Sequence, residues 1–497
     1  FVSIVAKQAV AVPILADFNP ADIANLVNHS DSVILYTDSK TWAAMPTKTM
    51  TSLKAAINVE DFSLLYASDA ELEEKLKATL AEKLEADITK KGAITDYKIG
   101  DLDDLAIINY TSGTTSAPKG VMLTARNLSS NIEFALAHIP VERGDQIMSM
   151  LPMAHMYGMA FEFLYPLFGG ARVFFLGKTP TPTLLMQALG DIKPYLLITV
   201  PLVLEKIFKN KVMPTLQKPA LKILTAIPGV NKLIYAKVRK QLLNVFGGNI
   251  RSIVIGGAAI SRPVEEVMRK IKLPYTVGYG MTECAPLISF AAPCEFKAGS
   301  CGKYLPGLME AKIDSKDPQN IAGEILVYGE NVMMGYYKNE EATKAVFTED
   351  GWFRTGDLAC FDKDGWLYIK GRLKNMILGP SGENIYPEDI ESVLNQHVFI
   401  TESLVTEHEG HLVALVNFDM EAIKARYEEL MDGFEEKKEE WAKVRDEVMD
   451  DIKQWINARV NRNSRITEVV EEEEEFVKTP SKKIRRFLYD GRGKKKD

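Results

Sequence analysis

Tyr110-Thr-Ser-Gly-Thr-Thr-Ser-Ala-Pro-Lys-Gly120 sets five Ser/Thr hydroxyls, two glycines and one lysine in eleven residues. An apolar, strand-like run, Leu105-Ala-Ile-Ile-Asn109, precedes it, and a helix-like segment begins near Thr124. Glycines let backbone N–H groups approach an anion closely, hydroxyls donate further hydrogen bonds, and Lys119 adds charge. The stretch therefore reads as a phosphate-gripping loop. It is not a Gly-x-x-x-x-Gly-Lys-Ser/Thr P-loop, because Gly120 follows Lys119.

Similar designs recur downstream. Ile253-Val-Ile-Gly-Gly-Ala-Ala-Ile-Ser261 is a buried strand ending in a glycine turn. Tyr275-Thr-Val-Gly-Tyr-Gly-Met-Thr-Glu283 repeats it, with polar residues after the glycines. Ligands of open α/β sheets sit beyond the carboxyl ends of strands. Three such strand ends predict one nucleotide-sized pocket.

The remaining chain frames that pocket. Residues 1–104 alternate short β-branched runs, such as Val33-Ile-Leu-Tyr36, with helix-like stretches, which predicts an α/β sheet. His155, in Leu151-Pro-Met-Ala-His-Met-Tyr-Gly158, reads as a core or pocket-wall histidine. The apolar region 147–176 is broken by Pro152, His155, Glu162 and Arg172, so it reads as buried elements and not as a membrane span. Residues 323–337 and 352–371 look β-rich. Asp362-Lys-Asp-Gly365 lacks the later ligands of a calcium loop and reads as a hairpin turn. From Leu373 onward the chain turns polar and Glu/Lys-rich, with helices expected over 421–443 and 447–459 and a solvated acidic run at 471–475. That shift marks a smaller α+β domain.

At 497 residues two or more domains are expected, and a net charge of −7 argues against general nucleic-acid binding. Cys284, Cys294, Cys301 and Cys360 have no metal-site or C-x-x-C spacing, which predicts reduced thiols and a cytoplasmic location. Residues 206–240 stand apart: nine Lys/Arg and no Asp or Glu, interleaved with Ile, Leu, Val and Phe. Such a segment reads either as a peripheral contact with the inner membrane surface or as a solvated helical face.

Taken together, 110–120, 256–261, 278–283, 352–357, 371–375, 383–391 and 480–486 resemble, in order, the motifs of the adenylate-forming superfamily of acyl-CoA synthetases, luciferases and peptide-synthetase adenylation domains. Within it the sequence is most similar to bacterial long-chain fatty acid–CoA ligases, through Gly278-Tyr-Gly-Met-Thr-Glu-Cys284, the basic insertion before Gly256, and Thr479-Pro-Ser-Lys-Lys-Ile-Arg-Arg486. The resemblance implies an α/β fold with a large multi-subdomain N-terminal domain, 1–371, built of α/β sheets with helices plus a distorted β-barrel. A small mobile α+β C-terminal domain, 372–497, follows. The family's opening portion is expected to precede Phe1.

The resemblance also implies the reaction: ATP-dependent conversion of a long-chain fatty acid, through an acyl-adenylate, to acyl-CoA with release of AMP and pyrophosphate. Transfer of the adenylate to a carrier protein, and a shorter or aromatic acid, are the alternatives within enzymes. A catalytically silent nucleotide- or lipid-binding module is the alternative outside them. ATP, Mg²⁺ and CoA are the implied cofactors and co-substrates. Thr111, Ser112, Gly113, Thr114, Thr115 and Lys119 would hold the β- and γ-phosphates. Thr282 would contact the α-phosphate, and Glu283 would bind Mg²⁺ with Thr111 as a second ligand. Gly257, Ala258 and Tyr279 would surround the adenine; Asp357, supported by Arg372, would accept from the ribose hydroxyls. Lys483 would bridge carboxylate and α-phosphate as charge builds, and Lys374 would be the hinge. The loop 377–385 would enter the site for the thioester step.

Overall fold

The computed structural model describes the chain except for residues 86–99, 112–117, 179, 380–382, 427–437, 480–482, 491–492 and 495–497. Its organising element is a five-stranded parallel sheet in the order Tyr275–Val277, Ser252–Ile255, Leu196–Thr199, Gln146–Ser149, Arg172–Phe175. The first three of these strands are buried throughout, as strands covered on both faces must be, and apart from Ser252 their residues are all apolar or β-branched. The helix Arg262–Lys270 makes the crossover between Ser252–Ile255 and Tyr275–Val277. Both Gly256-Gly257 and Gly278-Tyr279 thereby fall at the carboxyl ends of neighbouring parallel strands.

The phosphate-loop strand belongs elsewhere, a departure from the expectation that the three strand ends share one design. Leu105–Thr111 pairs antiparallel with a return strand, Lys119–Thr124, whose other edge pairs with Gly335–Tyr336. The loop therefore joins two antiparallel strands. The return strand escaped the sequence reading because its six residues lie between a glycine-rich loop and a helix start. That helix, Ala125–His138, begins where expected. Thr124 Oγ1 accepts from the Asn127 N–H at 3.1 Å, and Asn127 Oδ1 accepts from the Thr124 N–H at 2.8 Å.

Residues before the hairpin form a small α/β unit, with strands Ile34–Thr37, Ala55–Asn58 and Leu64–Ala67 in one sheet and helices Pro20–His29 and Ala70–Glu85 beside them. The β-rich part comprises small antiparallel sheets around a shared core. The largest has the order Met309–Asp314, Gly323–Gly329, Phe353–Phe361, Leu367–Arg372. Asp362–Gly365 is the turn of its last hairpin, with the Gly365 N–H donating to the Asp362 carbonyl. The region 147–176 resolves into strand, short helix, a widened π-helical stretch Met159–Leu164, helix and strand. Among the described residues no helix is long and apolar enough to cross a membrane.

Beyond Ile377 the hairpin Ile400–His408/His411–Phe418 is joined by the parallel strand Glu468–Glu471 and covered by Pro387–Leu394 and Lys438–Asn457. That last helix corrects the expected break between 443 and 447. Val444, Val448, Ile452 and Ile456, four apart and all buried, form one continuous apolar stripe. Residues 427–437 of the other expected helix lie outside the described residues. Among the described residues the buried apolar side chains form five clusters, three drawn from 1–369 and two from 377–489.

Candidate active site

Glu283 is held beside the phosphate-loop hairpin by contacts from three parts of the chain. The strand pair Lys119–Thr124/Gly335–Tyr336 brings Tyr336 next to it, and the Tyr336 hydroxyl donates to Glu283 Oε1 at 3.1 Å. The Met333 N–H donates to the Glu283 carbonyl at 2.8 Å. Asn131 and Asn331 clamp the following turn, each donating to the Cys284 carbonyl, at 3.1 and 3.0 Å. The Lys119 ammonium lies over the Tyr336 ring, 4.7 Å from its centroid, and Thr111 is the cross-strand partner of Lys119. Lys119, Thr111 and Glu283 thus share one locality. Ser112, Gly113, Thr114 and Thr115 lie outside the described residues.

Asp357 is buried at the middle of its strand, and both its oxygens are engaged. Arg372 Nε donates to Oδ1 at 2.7 Å, and the Tyr279 hydroxyl donates to Oδ2 at 2.6 Å. Asp357 and Arg372 are directly opposite across an antiparallel pair, so the sheet register fixes this ion pair. Burial pushes the Asp357 carboxyl up and Arg372 partly offsets it. A carboxylate has about four lone-pair sites, so acceptor capacity remains for a further ligand. Gly257, with φ of +86°, and Ala258 are exposed just past the end of Ser252–Ile255. Thr282 lies in the short turn Thr282–Cys284.

Lys483 arrives from the far end of the chain on a hairpin. The Thr479 N–H donates to the Lys483 carbonyl at 2.8 Å, and the Arg485 N–H to the Val477 carbonyl at 2.9 Å. Its side chain is exposed, and charged groups from the N-terminal part of the chain act on it. Burial, then Arg372, push its pKa below the usual lysine range, while Asp357 and Glu283 act the other way. Lys374 is lowered by burial and then by Arg372, Lys119 and Lys483. Four cations from different elements therefore converge around Asp357 and Glu283, an arrangement suited to a polyanion. Lys482 lies outside the described residues.

His155 is half-buried, near enough to Lys483 for the two charges to interact. Its Nδ1 accepts from the Tyr157 N–H at 3.3 Å, and burial followed by Lys483 lowers its pKa to about 4. It is neutral at physiological pH. The Tyr157 hydroxyl donates to the Val254 carbonyl at 3.2 Å, tying the His155 loop to the strand that carries Gly256. Behind the loop, the fully buried Glu162 accepts at Oε2 from the N–H groups of Met150 and Leu151, at 2.9 and 2.8 Å, and from the Ser149 hydroxyl.

Tyr336, Asn131, Asn331 and Glu162 were not singled out as site residues from sequence. An acid inside an apolar run was the one available signal, and it concerned Glu162 alone.

The family model for AMP-binding enzymes matches residues 1–337. The chain belongs to the AMP-binding enzyme family. This AMP-binding enzyme is 29% identical over 449 residues to the long-chain-fatty-acid–CoA ligase FadD15 of Mycobacterium bovis, covering 85% of this chain and 71% of that one. It is 28% identical over 446 residues to long-chain-fatty-acid–CoA ligase 4 of Saccharomyces cerevisiae, covering 80% and 63%. Among solved structures, ATP-bound MatB from Rhodopseudomonas palustris superposes with a TM-score of 0.70 at 22% identity, covering 98% of this chain and 84% of that one. The two proteins thus share a fold.

The donor set of this AMP-binding enzyme fits Mg²⁺ held jointly with a nucleotide. Among the described residues no three His, Cys, Asp or Glu side chains form an all-protein metal site. Glu283 offers a hard carboxylate beside Thr111 and Lys119, and Mg²⁺ is ordinarily held by one or two carboxylates plus substrate phosphates.

Proposed function

We propose that this AMP-binding enzyme activates a long-chain fatty acid with ATP and transfers the acyl group to CoA. The observation that carries the reading is the grouping of Lys119, Arg372, Lys374 and Lys483 around Asp357 and Glu283. The long-chain acid is inferred from the relatives' names, FadD15 and yeast ligase 4.

In the first half-reaction a carboxylate oxygen attacks the α-phosphorus of ATP, and the bond to pyrophosphate breaks. Lys483 neutralises charge building between carboxylate and α-phosphate, and Thr282 donates to that phosphate. Thr111 and Lys119, with Ser112 to Thr115, hold the leaving pyrophosphate. Mg²⁺, held by Glu283 and Thr111, would supply charge neutralisation on the phosphates. Gly257, Ala258 and Tyr279 flank the adenine, and the Asp357–Arg372 pair fixes the ribose. In the second half-reaction the CoA sulfur attacks the acyl carbon, the bond to AMP breaks, and the thiol proton leaves to solvent. Preorganised charge and positioning are what both steps require.

One pocket serves both steps if the C-terminal domain, 372–497, turns about Lys374 to exchange the Lys483 hairpin for the 377–385 loop. The separation of core clusters on either side of 370–376 supports that division. Of the 377–385 loop, 380–382 lie outside the described residues.

A product assay over acids from acetate to palmitate, with ATP and CoA, tests the reading. Each methylene buried in an apolar tunnel adds about fourfold in specificity, so kcat/KM should climb steeply with length and then plateau. A profile peaking at acetate or an aromatic acid overturns the long-chain assignment. AMP release that ignores free CoA overturns the thioester step in favour of a carrier-protein acceptor.

A further inference from the structure

The basic stretch 206–240 folds into successive helices after the strand Leu196–Thr199, and its far end forms a helical hairpin, Pro219–Ala226 and Val230–Val245, joined by the exposed turn Ile227-Pro-Gly229. Pro219–Ala226 buries none of its residues. Helices in proteins draw most of their stability from packing an apolar face, and this one carries Ile223 and Leu224 into solvent. Ile223 is 66% exposed, Leu233 at the start of the second helix 74%, and Ile227 at the corner 43%. A solvated helical face explains lysines; it does not explain aliphatic tips grouped at a corner.

Charge surrounds those tips. Lys218, Lys222, Lys232 and Lys237 are all exposed, and among the described residues none has an acidic partner. Lys209 does not belong with them: its Nζ donates to the Asn395 carbonyl at 3.2 Å, toward the C-terminal region. Arg239 likewise turns inward, to the Lys272 carbonyl.

We infer that this hairpin corner docks on an anionic lipid surface. Ile223, Leu224, Ile227 and Leu233 enter the acyl boundary, and the four lysines meet the headgroups. Amphipathic segments at membranes combine the same two features, aliphatic penetration and lysines whose stems reach back to the phosphate level. A second copy of the chain is the poorer occupant, because a twofold contact would oppose the same lysines. Nucleic acid is poorer too, since the tips are aliphatic and offer no aromatic stacking. The inference rests on exposure and charge, so its failure leaves the proposed reaction intact.

The test is co-sedimentation with vesicles of phosphatidylcholine alone and of phosphatidylcholine mixed equally with phosphatidylglycerol. The full chain should bind the mixed vesicles and not the neutral ones, and binding should weaken as salt screens exposed charge. Each lysine near an anionic surface is worth about fivefold in partitioning, so K218Q/K222Q/K232Q/K237Q should bind about 10²- to 10³-fold more weakly. I223S/L233S should also lose binding while keeping the lysines, which separates insertion from simple charge attraction. Both variants change only exposed positions, and turnover of a soluble medium-chain acid serves as the folding control. Unchanged binding by either variant, or equal binding to neutral vesicles, overturns the proposal. So does a vesicle-free dimer that I223S/L233S converts to monomer, which would assign the corner to a second copy.

Discussion

Glu162 is a carboxylate without exposed surface whose pKa burial raises from 4.5 to about 7. Its Oε2 organises three donors of the Ser149–Leu151 turn, while Oε1 has no partner among the described residues. Because the folded pKa lies above the unfolded one, the native state holds a proton that the unfolded chain releases. Stability from this group is therefore complete below 4.5 and is lost as pH rises through about 7, by roughly 3 kcal/mol for a shift of this size. Glu162→Gln does not titrate and keeps an acceptor for the same donors. Its thermal midpoint should rise relative to the wild type across that pH window, and a difference that stays constant with pH would contradict the assignment. Such residues are hard to read from sequence for a plain reason. Tyr336 reaches Glu283 across 53 positions and Asn131 reaches Cys284 across 153, so their roles exist only after the sheets assemble. Asp357, Arg372 and Lys483 could be nominated from sequence because each sits in a motif whose neighbours name it, and the structure brings the three together.

At the scale of elements, the sequence pattern located two of the three buried parallel strands, Ser252–Ile255 and Tyr275–Val277, and the Asp362–Gly365 turn. It failed where local and tertiary signals diverge. The return strand Lys119–Thr124 is short, and only its pairing on both edges makes it a strand. The helix Lys438–Asn457 runs through the expected break because its buried stripe outweighs the charges around it. The short turn Leu373–Asn375, between the last strand of the four-stranded sheet and the C-terminal core, carries the proposed hinge. Asn375 also donates to Glu388 at 2.6 Å, so the turn is anchored on its C-terminal side. Proline at 374 fixes φ there. Lys374→Pro should leave acid-dependent pyrophosphate exchange intact and slow the CoA step selectively. Lys374→Ala, which removes the charge and keeps the backbone free, should spare the CoA step relative to the proline variant. Equal loss of both half-reactions in the proline variant would count against a hinge.

The whole molecule has separate cores before and after residues 370–376, and a residue from near the C-terminus lies beside residues of the N-terminal part. Lys483, on a hairpin followed by only the short turn Arg486–Leu488 and one short strand pair among the described residues, lies near His155, Glu283, Asp357 and Arg372. This is the arrangement the proposed first half-reaction requires. The thioester step needs that amine elsewhere, so the proposed account separates the two half-reactions by the position of one side chain. Losing a preorganised donor where charge develops costs about 10²–10³ in rate. The most direct test is Lys483→Ala assayed on each half-reaction, palmitate-dependent pyrophosphate exchange into ATP and palmitoyl-CoA formation from supplied palmitoyl-adenylate. The account predicts that exchange falls by about that factor while thioester formation from the adenylate continues near the wild-type rate; undiminished exchange, or this pattern produced by Lys482→Ala in place of Lys483→Ala, would contradict it.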